Sequence, residues 1–444
     1  MKSEIYINER IPCWRVAVRV VPSNSLNNSL QGDSNNSGKR NTDKNAKAYE
    51  EQQISCANYD NAGVVKYSRS LDEQYKFSYD TVFGPGTNQI DMFSYFDEYI
   101  DNTFHNSRNA SIYVLGAKGT GRKHTLLGKT HGDELQVGLG LIPRTITSFF
   151  AKIRKKKKSP LLKYKIALSI CGISKDKVND LIHTNNKNLR TEENDKNGDV
   201  VIPDLCEKYI ENIDQAIKII QRILYNQKRH TSKKRKKKKR NVNEQHIIIK
   251  VKLEKWNRID PTSPGIIMKD TYKKGKGNNN NNMTTSSPKF NALGGTTPAK
   301  STDSKKNWKC TTSYVRFINF ADLSSSAATN NDPSAENVQL TLSSFLRCTK
   351  DLQEKSDNLV ACRDTKLTYI LKSAFSVDHT NIFIGQISQR SKHSMEQVLP
   401  TLKFASRVLQ STPNGIERLR VVGSGQGGTK NLLWSPDINA RKDS

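Results

Sequence analysis

Apolar positions along the chain fall into two alternating patterns, and the first of these predicts strands. Short runs rich in β-branched and aromatic residues recur along the sequence, and the first of them, WRVAVRVV, ends at Pro22. Strands are predicted at Trp14 to Val21, Ala110 to Leu115, Tyr164 to Ile170, His246 to Leu253, Tyr314 to Leu323 and Asn381 to Ile387.

The second pattern has apolar residues every three or four positions and predicts helices. The stretch from Gln89 to Phe104 is an example, with Ile90, Phe93 and Phe96 on one face. Strands that alternate with helices predict an α/β fold of the P-loop NTPase type, with three layers and a central mixed sheet flanked by helices. Further helices are predicted at Gly140 to Ile153, Ile213 to Leu224, Ala335 to Leu352 and Lys366 to Phe375, and in a last one that runs through Val408.

Three segments lack either pattern. Residues 23–72 are rich in Asn and Ser, and residues 257–309 contain an Asn homopolymer at Asn278 to Asn282. Residues 415–444 are Gly-rich and have no heptad pattern. We expect two low-complexity insertions and a flexible C-terminal tail.

The charge of the chain indicates a polyanionic partner. The formal net charge is +29, which suits nucleic acid, an acidic membrane surface or an acidic protein lattice. Two unbroken basic runs, Arg154 to Lys158 and Lys233 to Arg240, carry part of this charge. Such runs are more often solvated, self-repelling loops than binding sites.

Cysteine usage and hydropathy limit the compartment and the chemistry. The seven cysteines form no CxxC pair and no cluster with histidine, which predicts core thiols in a reducing compartment and no metal site. The N-terminus has no apolar signal region, and no apolar run of membrane-spanning length occurs. We therefore expect a cytoplasmic protein without a membrane span.

A glycine-rich motif directly after a predicted strand supplies the candidate chemistry. Its spacing is that of GxxxxGK[ST], in which backbone N–H groups hold a β-phosphate, the lysine neutralises phosphate oxygens and the hydroxyl binds Mg²⁺. Here Arg122 occupies the lysine position and Lys123 the hydroxyl position, and lysine offers only donors. A glycine turn without nucleotide is an equal alternative on the motif alone, but the strand before it and the helix after it favour a nucleotide loop. The nucleotide-binding candidates are Gly116, Ala117, Lys118, Gly119, Thr120, Gly121, Arg122, Lys123 and His124.

Further segments occur in the order and approximate spacing of another set of motifs. VAVRVVP at 16–22 is similar to VxVRxRP, and FSYDTVFGPGTNQ at 77–89 to FxFDxVF…Q. GLIPR at 140–144, RDTKLTYIL at 363–371 and TLKFASR at 401–407 are similar to GIIPR, RDSKLTxLL and TLxFAxR. With the glycine loop, these strings resemble the kinesin motor domain family over roughly 14–414.

The resemblance implies a microtubule motor that hydrolyses ATP, with ATP or ADP in the loop. It places Arg19 and Pro22 on the adenine side of the nucleotide. Of the two switch motifs, only His246 remains in switch I, and Asp322 remains in switch II, where Ser325 and Ala327 replace glycine and glutamate. These losses, with Lys123 in place of the Mg²⁺ hydroxyl, predict little or no hydrolysis and no confident catalytic residue.

The resemblance also implies a microtubule-facing surface that is better retained than the nucleotide site. The family forms this surface from the helix after switch II, the RDSKLT loop and the helix that follows it. The alternative interpretation is that Arg363 and Lys366 are ordinary solvated charges and that Asp364 and Thr368 cap the loop and helix. The microtubule-contact candidates are Arg347, Lys350, Arg363, Lys366 and Lys372.

Three functional hypotheses follow. The first is a pseudo-motor on the cytoplasmic microtubule cytoskeleton, binding tubulin alone or beside another motor subunit. The second is an active divergent motor in which the Lys123 ammonium takes the place of Mg²⁺. The third is a nucleic-acid-binding protein that uses the basic runs, and it ranks last because no aromatic residues interleave with Lys233 to Arg240.

Overall fold

A nine-stranded mixed sheet forms the centre of the fold. The computed structural model describes residues 13–21, 53–59, 62–68, 73–128, 138–156, 160–194, 199–223, 245–258, 308–322, 333–354, 362–376, 378–388 and 396–412. The central strands are β1 (Cys13–Val21), β5 (Thr81–Phe83), β6 (Ala110–Gly116), β7 (Leu162–Ser174), β8 (Lys177–Asp180), β11 (Glu207–Ile210), β12 (His246–Arg258), β13 (Trp308–Asn319) and β14 (Thr380–Ser388).

The sheet has a parallel half and an antiparallel half. Its order is β11-β7-β12-β13-β6-β14-β1-β5, with β8 paired to β7. From β13 to β5 the neighbours are parallel, and β12, β7 and β11 continue the sheet in antiparallel fashion. Because β6 and β14 are buried along their whole length, both faces of the parallel half must be covered.

Helices cover both faces and complete three layers. Alternate residues of one strand enter opposite cores: Tyr113 of β6 lies in the same cluster as Phe345, whereas Ile112 lies with Phe96. This alternation confirms the predicted α/β architecture. The helices are α1 (Gln89–His105), α2 (Arg122–Leu127), α3 (Leu141–Lys156), α4 (213–223), α5 (Pro333–Glu354), α6 (Lys366–Ile370) and α7 (Val398–Gln410).

A second, three-stranded sheet corrects the expected extent of the first insertion. The strands β2 (Gln53–Tyr59), β3 (Ala62–Ser68) and β4 (Gln74–Tyr79) pair in that order, so part of 23–72 belongs to the fold. Val65 and Tyr67 are buried, and Tyr67 begins a stack of aromatic rings along β3 and β4. These apolar residues were missed because the segment as a whole is polar in composition. Their burial stabilises the sheet. Residues 23–52 lie outside the described residues.

The second predicted insertion joins two strands that are longer than expected. β12 and β13 form an antiparallel ladder from Ile247 opposite Asn319 to Arg258 opposite Trp308. Lys163 of β7 places its ammonium 4.3 Å from the centre of the Trp308 ring at the far end of this ladder. Of the predicted insertion 257–309, the described ends are therefore strand, and residues 259–307 and the tail 415–444 lie outside the described residues.

Two helix predictions need correction. The predicted helix from Lys366 to Phe375 is α6 followed by a separate 3-10 turn at Lys372–Ala374, with Leu371 between them. The basic run that begins at Arg154 was expected to be a loop, yet its described part is the last turn of α3. Cations at a helix C-terminus are stabilised by the helix dipole, which explains the extension. None of the described helices is long and apolar enough to cross a membrane.

Two hairpins that the apolar pattern did not predict complete the fold. Lys175 and Asp176 adopt positive φ angles of 50° and 57° in the tight turn that joins β7 to β8. The strands β9 (Glu192–Glu193) and β10 (Val200–Val201) pair with each other away from the central sheet. Two-residue strands with acidic residues carry no apolar alternation, so periodicity could not detect them.

Candidate functional site

The glycine-rich motif forms a loop at the carboxyl end of β6, between the parallel neighbours β13 and β14. This loop, Gly116 to Lys123, is called the phosphate loop below. It follows a strand buried at every position and leads into α2. The carboxyl ends of parallel strands are where α/β folds bind ligands.

Glycine is required at the loop for two different reasons. Gly119 and Gly121 have φ angles of 90° and 86°, a region that residues with a side chain rarely adopt. Gly116 instead packs closely, since a Cβ there would lie 2.3 Å from the carbonyl oxygen of Gln386. The sequence prediction of a strand–loop–helix element at this position is confirmed.

The side chain of Arg122 is bonded to the end of β13. Its Nη1 donates to the carbonyl oxygen of Phe320, the residue that follows the strand. Burial lowers the pKa of Arg122, and the Asp322 carboxylate opposes that shift. The cation at the lysine position is thus bonded to the backbone just before Asp322, the predicted switch II residue.

The loop also uses some of its own hydrogen-bonding groups. The backbone N–H of Lys118 donates to Oδ2 of Asp322 over 3.0 Å. The buried Thr120 hydroxyl donates to the carbonyl oxygen of Ala117 over 2.8 Å. One backbone amide of the loop is therefore already bound to a carboxylate.

His246, the first residue of β12, is buried beside the same segment. Its Nδ1 accepts from the backbone N–H of Ala321 over 3.2 Å, so the proton of the neutral ring lies on Nε2. Burial lowers the pKa of His246 to about 3, and the positive charge of Arg122 adds to the effect. Nε2 is buried and has no partner within the described part of the chain. At neutral pH this histidine is uncharged.

Arg19 lies on β1 and holds the two helices beside the loop. Its Nη1 donates to Oγ1 of Thr125 on α2 over 2.8 Å and to Oε1 of Gln89 on α1 over 3.1 Å. Burial lowers the pKa of Arg19 to about 10. Gln89 in turn donates to the backbone carbonyl of His124 over 2.6 Å, which fixes the first turn of α2 against α1. The structure therefore gives Arg19 protein partners at the predicted adenine side.

The predicted loop residues come together, but not all candidates can be placed. Lys123 and His124 are exposed in α2, directly after Arg122. Pro22 and Ser325 lie outside the described residues. Within those described, no group of His, Cys, Asp or Glu side chains could hold a metal ion.

Gln386 is a residue of this site that sequence reasoning missed. It is fully buried near the end of β14, and its Nε2 would lie 3.2 Å from a Cβ added at Gly121. Neither polar atom of its side chain has a partner among the described residues. A glutamine inside the strand TNIFIGQIS, which is buried at every position, was the available signal.

Four of the five predicted microtubule-contact candidates come together at a second place, and the five are together called the basic surface: Arg347, Lys350, Arg363, Lys366 and Lys372. Arg347 of α5 pairs with Asp364 in the loop before α6. Arg363 and Lys372 both pair with Glu193 of β9, the former over 3.3 Å. Lys350 lies exposed on α5, and the structure thus brings the other four candidates to one connected surface.

Local contacts explain the shape of the loop that carries RDTKLT. Thr365 caps α6 by accepting from the backbone N–H of Thr368 over 3.3 Å, and the Thr368 hydroxyl donates to the carbonyl oxygen of Cys362 over 2.8 Å. The expectation that Thr368 is a capping residue is therefore wrong, because it lies three positions inside the helix. The backbone N–H of Lys366 donates to Asp176 in the turn between β7 and β8.

Comparisons with known proteins agree with the geometry. The sequence matches the kinesin motor domain family over residues 34–278 and 292–411. It is 29% identical over 154 residues to the kinesin heavy chain of Gibberella moniliformis, and the aligned region covers 34% of this chain and 16% of that protein. It is 24% identical over 373 residues to kinesin-related protein 10 of Dictyostelium discoideum, and the aligned region covers 82% of this chain and 26% of that protein.

Solved structures share the fold. The chain resembles the C-terminal motor and motor homology domain of Kar3Vik1, fused to a synthetic heterodimeric coiled coil, with a TM-score of 0.60 and 16% identity. The likeness covers 89% of this chain and 84% of that one. The chain matches only 16% to 26% of the length of the first curated relatives.

Proposed function

Because the chain belongs to the kinesin motor domain family, we propose that it is a microtubule-binding module with a degenerate ATP site. It hydrolyses ATP weakly or not at all and acts as a pseudo-motor. The proposal separates two activities that the family couples, track binding and phosphoryl transfer. The contacts of Arg122 and the composition of the basic surface support it.

The engagement of Arg122 by the Phe320 carbonyl carries the proposal. A cation that neutralises phosphate oxygens has to point its donors at the phosphate. The Arg122 guanidinium uses one of its donors for a backbone carbonyl. A planar guanidinium is also a poor substitute for the compact ammonium of lysine at this position. We infer that Arg122 acts mainly as an internal strut between the phosphate loop and β13.

Mg²⁺ does not fit the residues of this loop. The metal requires oxygen ligands at a short distance, and Lys123 brings a donor-only ammonium to the place of the hydroxyl. The single hydroxyl of the loop, on Thr120, donates to the Ala117 carbonyl oxygen. No step of the chemistry is therefore assigned to a metal ion.

The loop retains features that support nucleotide binding without hydrolysis. Gly119 and Gly121 keep the left-handed backbone that lets amide groups converge on a phosphate. The exposed ammonium of Lys123 adds positive charge next to them. This combination favours, as a second candidate, a divergent motor that holds ATP or ADP without Mg²⁺.

The partners follow from the basic surface and from the family. An acidic lattice of tubulin suits the exposed guanidinium groups of Arg347 and Arg363. We accordingly place the protein in the cytoplasm, on the microtubule cytoskeleton. The likeness to a motor joined to a motor homology domain supports a second motor subunit as a further partner. The nucleic-acid hypothesis depends on the two basic runs, of which Lys233 to Arg240 lie outside the described residues.

Microtubule pelleting combined with phosphate release tests the proposal. We expect the purified protein to pellet with microtubules at low salt and to release phosphate no faster with microtubules than without them. The double variant R122K/K123T should gain Mg²⁺-dependent nucleotide binding, because it restores the ammonium and the hydroxyl. Microtubule-stimulated release by the wild type would show a working motor, and failure to pellet would refute track binding.

A further inference from the structure

A single carboxylate is bonded to two cations of the basic surface. Glu193 pairs through one oxygen with Lys372 and through the other with Arg363, so it bridges the loop before α6 and the 3-10 turn after α6. These bonds hold the pKa of Glu193 below its ordinary value, with the hydrogen bond from Lys372 as the largest cause. The carboxylate is thus ionised at neutral pH and cancels charge where an acidic partner would bind.

Glu193 reaches this position on an anchored hairpin rather than on a free loop. The hairpin formed by β9 and β10, here called the acidic hairpin (residues 192–194 and 199–201), has Val200 buried in the main core cluster. Its Asp199 also lies close to the sheet beneath: burial lowers the pKa of Lys250 to about 8, and the Asp199 carboxylate is among the charges that oppose this shift.

We propose that Glu193 masks the basic surface by occupying cations that an acidic lattice would otherwise bind. The inference rests on the proposed microtubule binding of this surface and adds a residue that weakens it. The acidic hairpin acts as an internal competitor, and its carboxylate must yield Lys372 and Arg363 before both can pair with the partner.

Glu193 holds Arg363 and Lys372 weakly enough for an acidic partner to displace it. The Arg363 side chain is 79% exposed and that of Lys372 36% exposed, so both pairs are solvated and weak. Exposed pairs are also screened by salt, and the mask should loosen together with the lattice contacts it opposes. The mask therefore adjusts the affinity of the surface and does not abolish it.

The variant E193Q tests the inference, with E192Q as its matched control. Glu192 is the next residue on β9, is 49% exposed, and pairs with Arg190 over 3.2 Å instead of with the basic surface. Both variants remove one negative charge from the hairpin, so their long-range steering of the partner is the same. Affinity for taxol-stabilised microtubules is measured by pelleting at two salt concentrations, and thermal melting checks that both variants fold.

We expect E193Q to bind about three- to tenfold more tightly than E192Q at low salt, because two weak competing pairs are removed. The difference should shrink at high salt. In a Lys372→Gln background the gain from E193Q should become smaller, since one of the two masked cations is gone.

The outcomes separate the inference from the proposed function. If the wild type pellets and E193Q binds no better than E192Q, the mask is refuted and track binding stands. If E193Q pellets where the wild type and E192Q do not, the mask is supported and is stronger than expected. If none of the three pellets with microtubules, both proposals are overturned.

Discussion

Replacing Arg122 by methionine tests whether this cation is a strut or a phosphate ligand. The substitution keeps most of the aliphatic stem and removes the guanidinium that donates to the Phe320 carbonyl. A hydrogen bond from a charged donor contributes about 1.5 to 3 kcal/mol, and a carbonyl left without a partner adds to the loss. The burial that lowers the pKa of Arg122 shows that the cation also carries a desolvation cost, which the substitution relieves. We therefore expect R122M to lose about 2 kcal/mol of stability, in the middle of that range.

Urea denaturation of the nucleotide-free protein measures this change. The matched control is Lys123→Met, at the next and more exposed position of α2, which should change stability by no more than about 0.5 kcal/mol. A second readout comes from His246, whose pKa is lowered partly by the charge of Arg122. In R122M this pKa should rise, so the loss of stability that the histidine causes as the pH falls should level off at a higher pH than in the wild type.

One result would refute the strut. If R122M were as stable as the wild type and had lost affinity for a fluorescent ATP analogue, the guanidinium would belong to the phosphate site. The bond to the Phe320 carbonyl would then be incidental, and the argument for a degenerate site would lose its main support.

Three further predictions use the same denaturation assay. His246 has its pKa lowered from 6.5 to about 3, so its contribution is complete above pH 6.5 and falls by about 1.4 kcal/mol per pH unit below it; His246→Gln should flatten the pH dependence, and an unchanged slope would contradict this. Gly116→Ala should cost about 2 to 3 kcal/mol, because the new Cβ would lie 2.3 Å from a carbonyl oxygen. Gly86→Ala, where a Cβ meets nothing within 4 Å, is its control, and equal effects would refute the close packing. Phe345→Ala should cost about 3 to 5 kcal/mol because the ring is fully buried among other aromatic rings, whereas Leu340→Ala on the exposed face of α5 should be nearly neutral; similar losses in the two would show that the core is not centred there.

The fold could be predicted from the sequence because its signals are local and repeated. The β-branched run at Ala110 to Leu115, the glycines after it and the helical period of α1 each indicate their own element. The motif order then indicates how the elements are arranged. The strands β2 and β3 escaped prediction because the few residues that they bury, Val65 and Tyr67 among them, stand inside a polar segment.

The contacts of the site were less predictable, because they join residues far apart in the chain. The sequence showed that Arg122 replaces a lysine, but which group the guanidinium would bond depends on the end of β13, nearly two hundred positions away. Glu193 carried no motif and became relevant only when the structure placed it between Arg363 and Lys372. Side-chain types can be inferred from sequence motifs, whereas partners across the sheet require its topology.

The long ladder between β12 and β13 has a consequence for how this domain can change in size. Its last pair, Arg258 opposite Trp308, closes the base of the intervening segment at the end of the strands remote from the phosphate loop. With that base fixed by backbone hydrogen bonds, doubling the length of the segment adds only about 0.6 kcal/mol of closure entropy. The chain can therefore gain or lose residues between these strands at little cost to the sheet, and a reporter domain inserted there should leave the phosphate loop undisturbed.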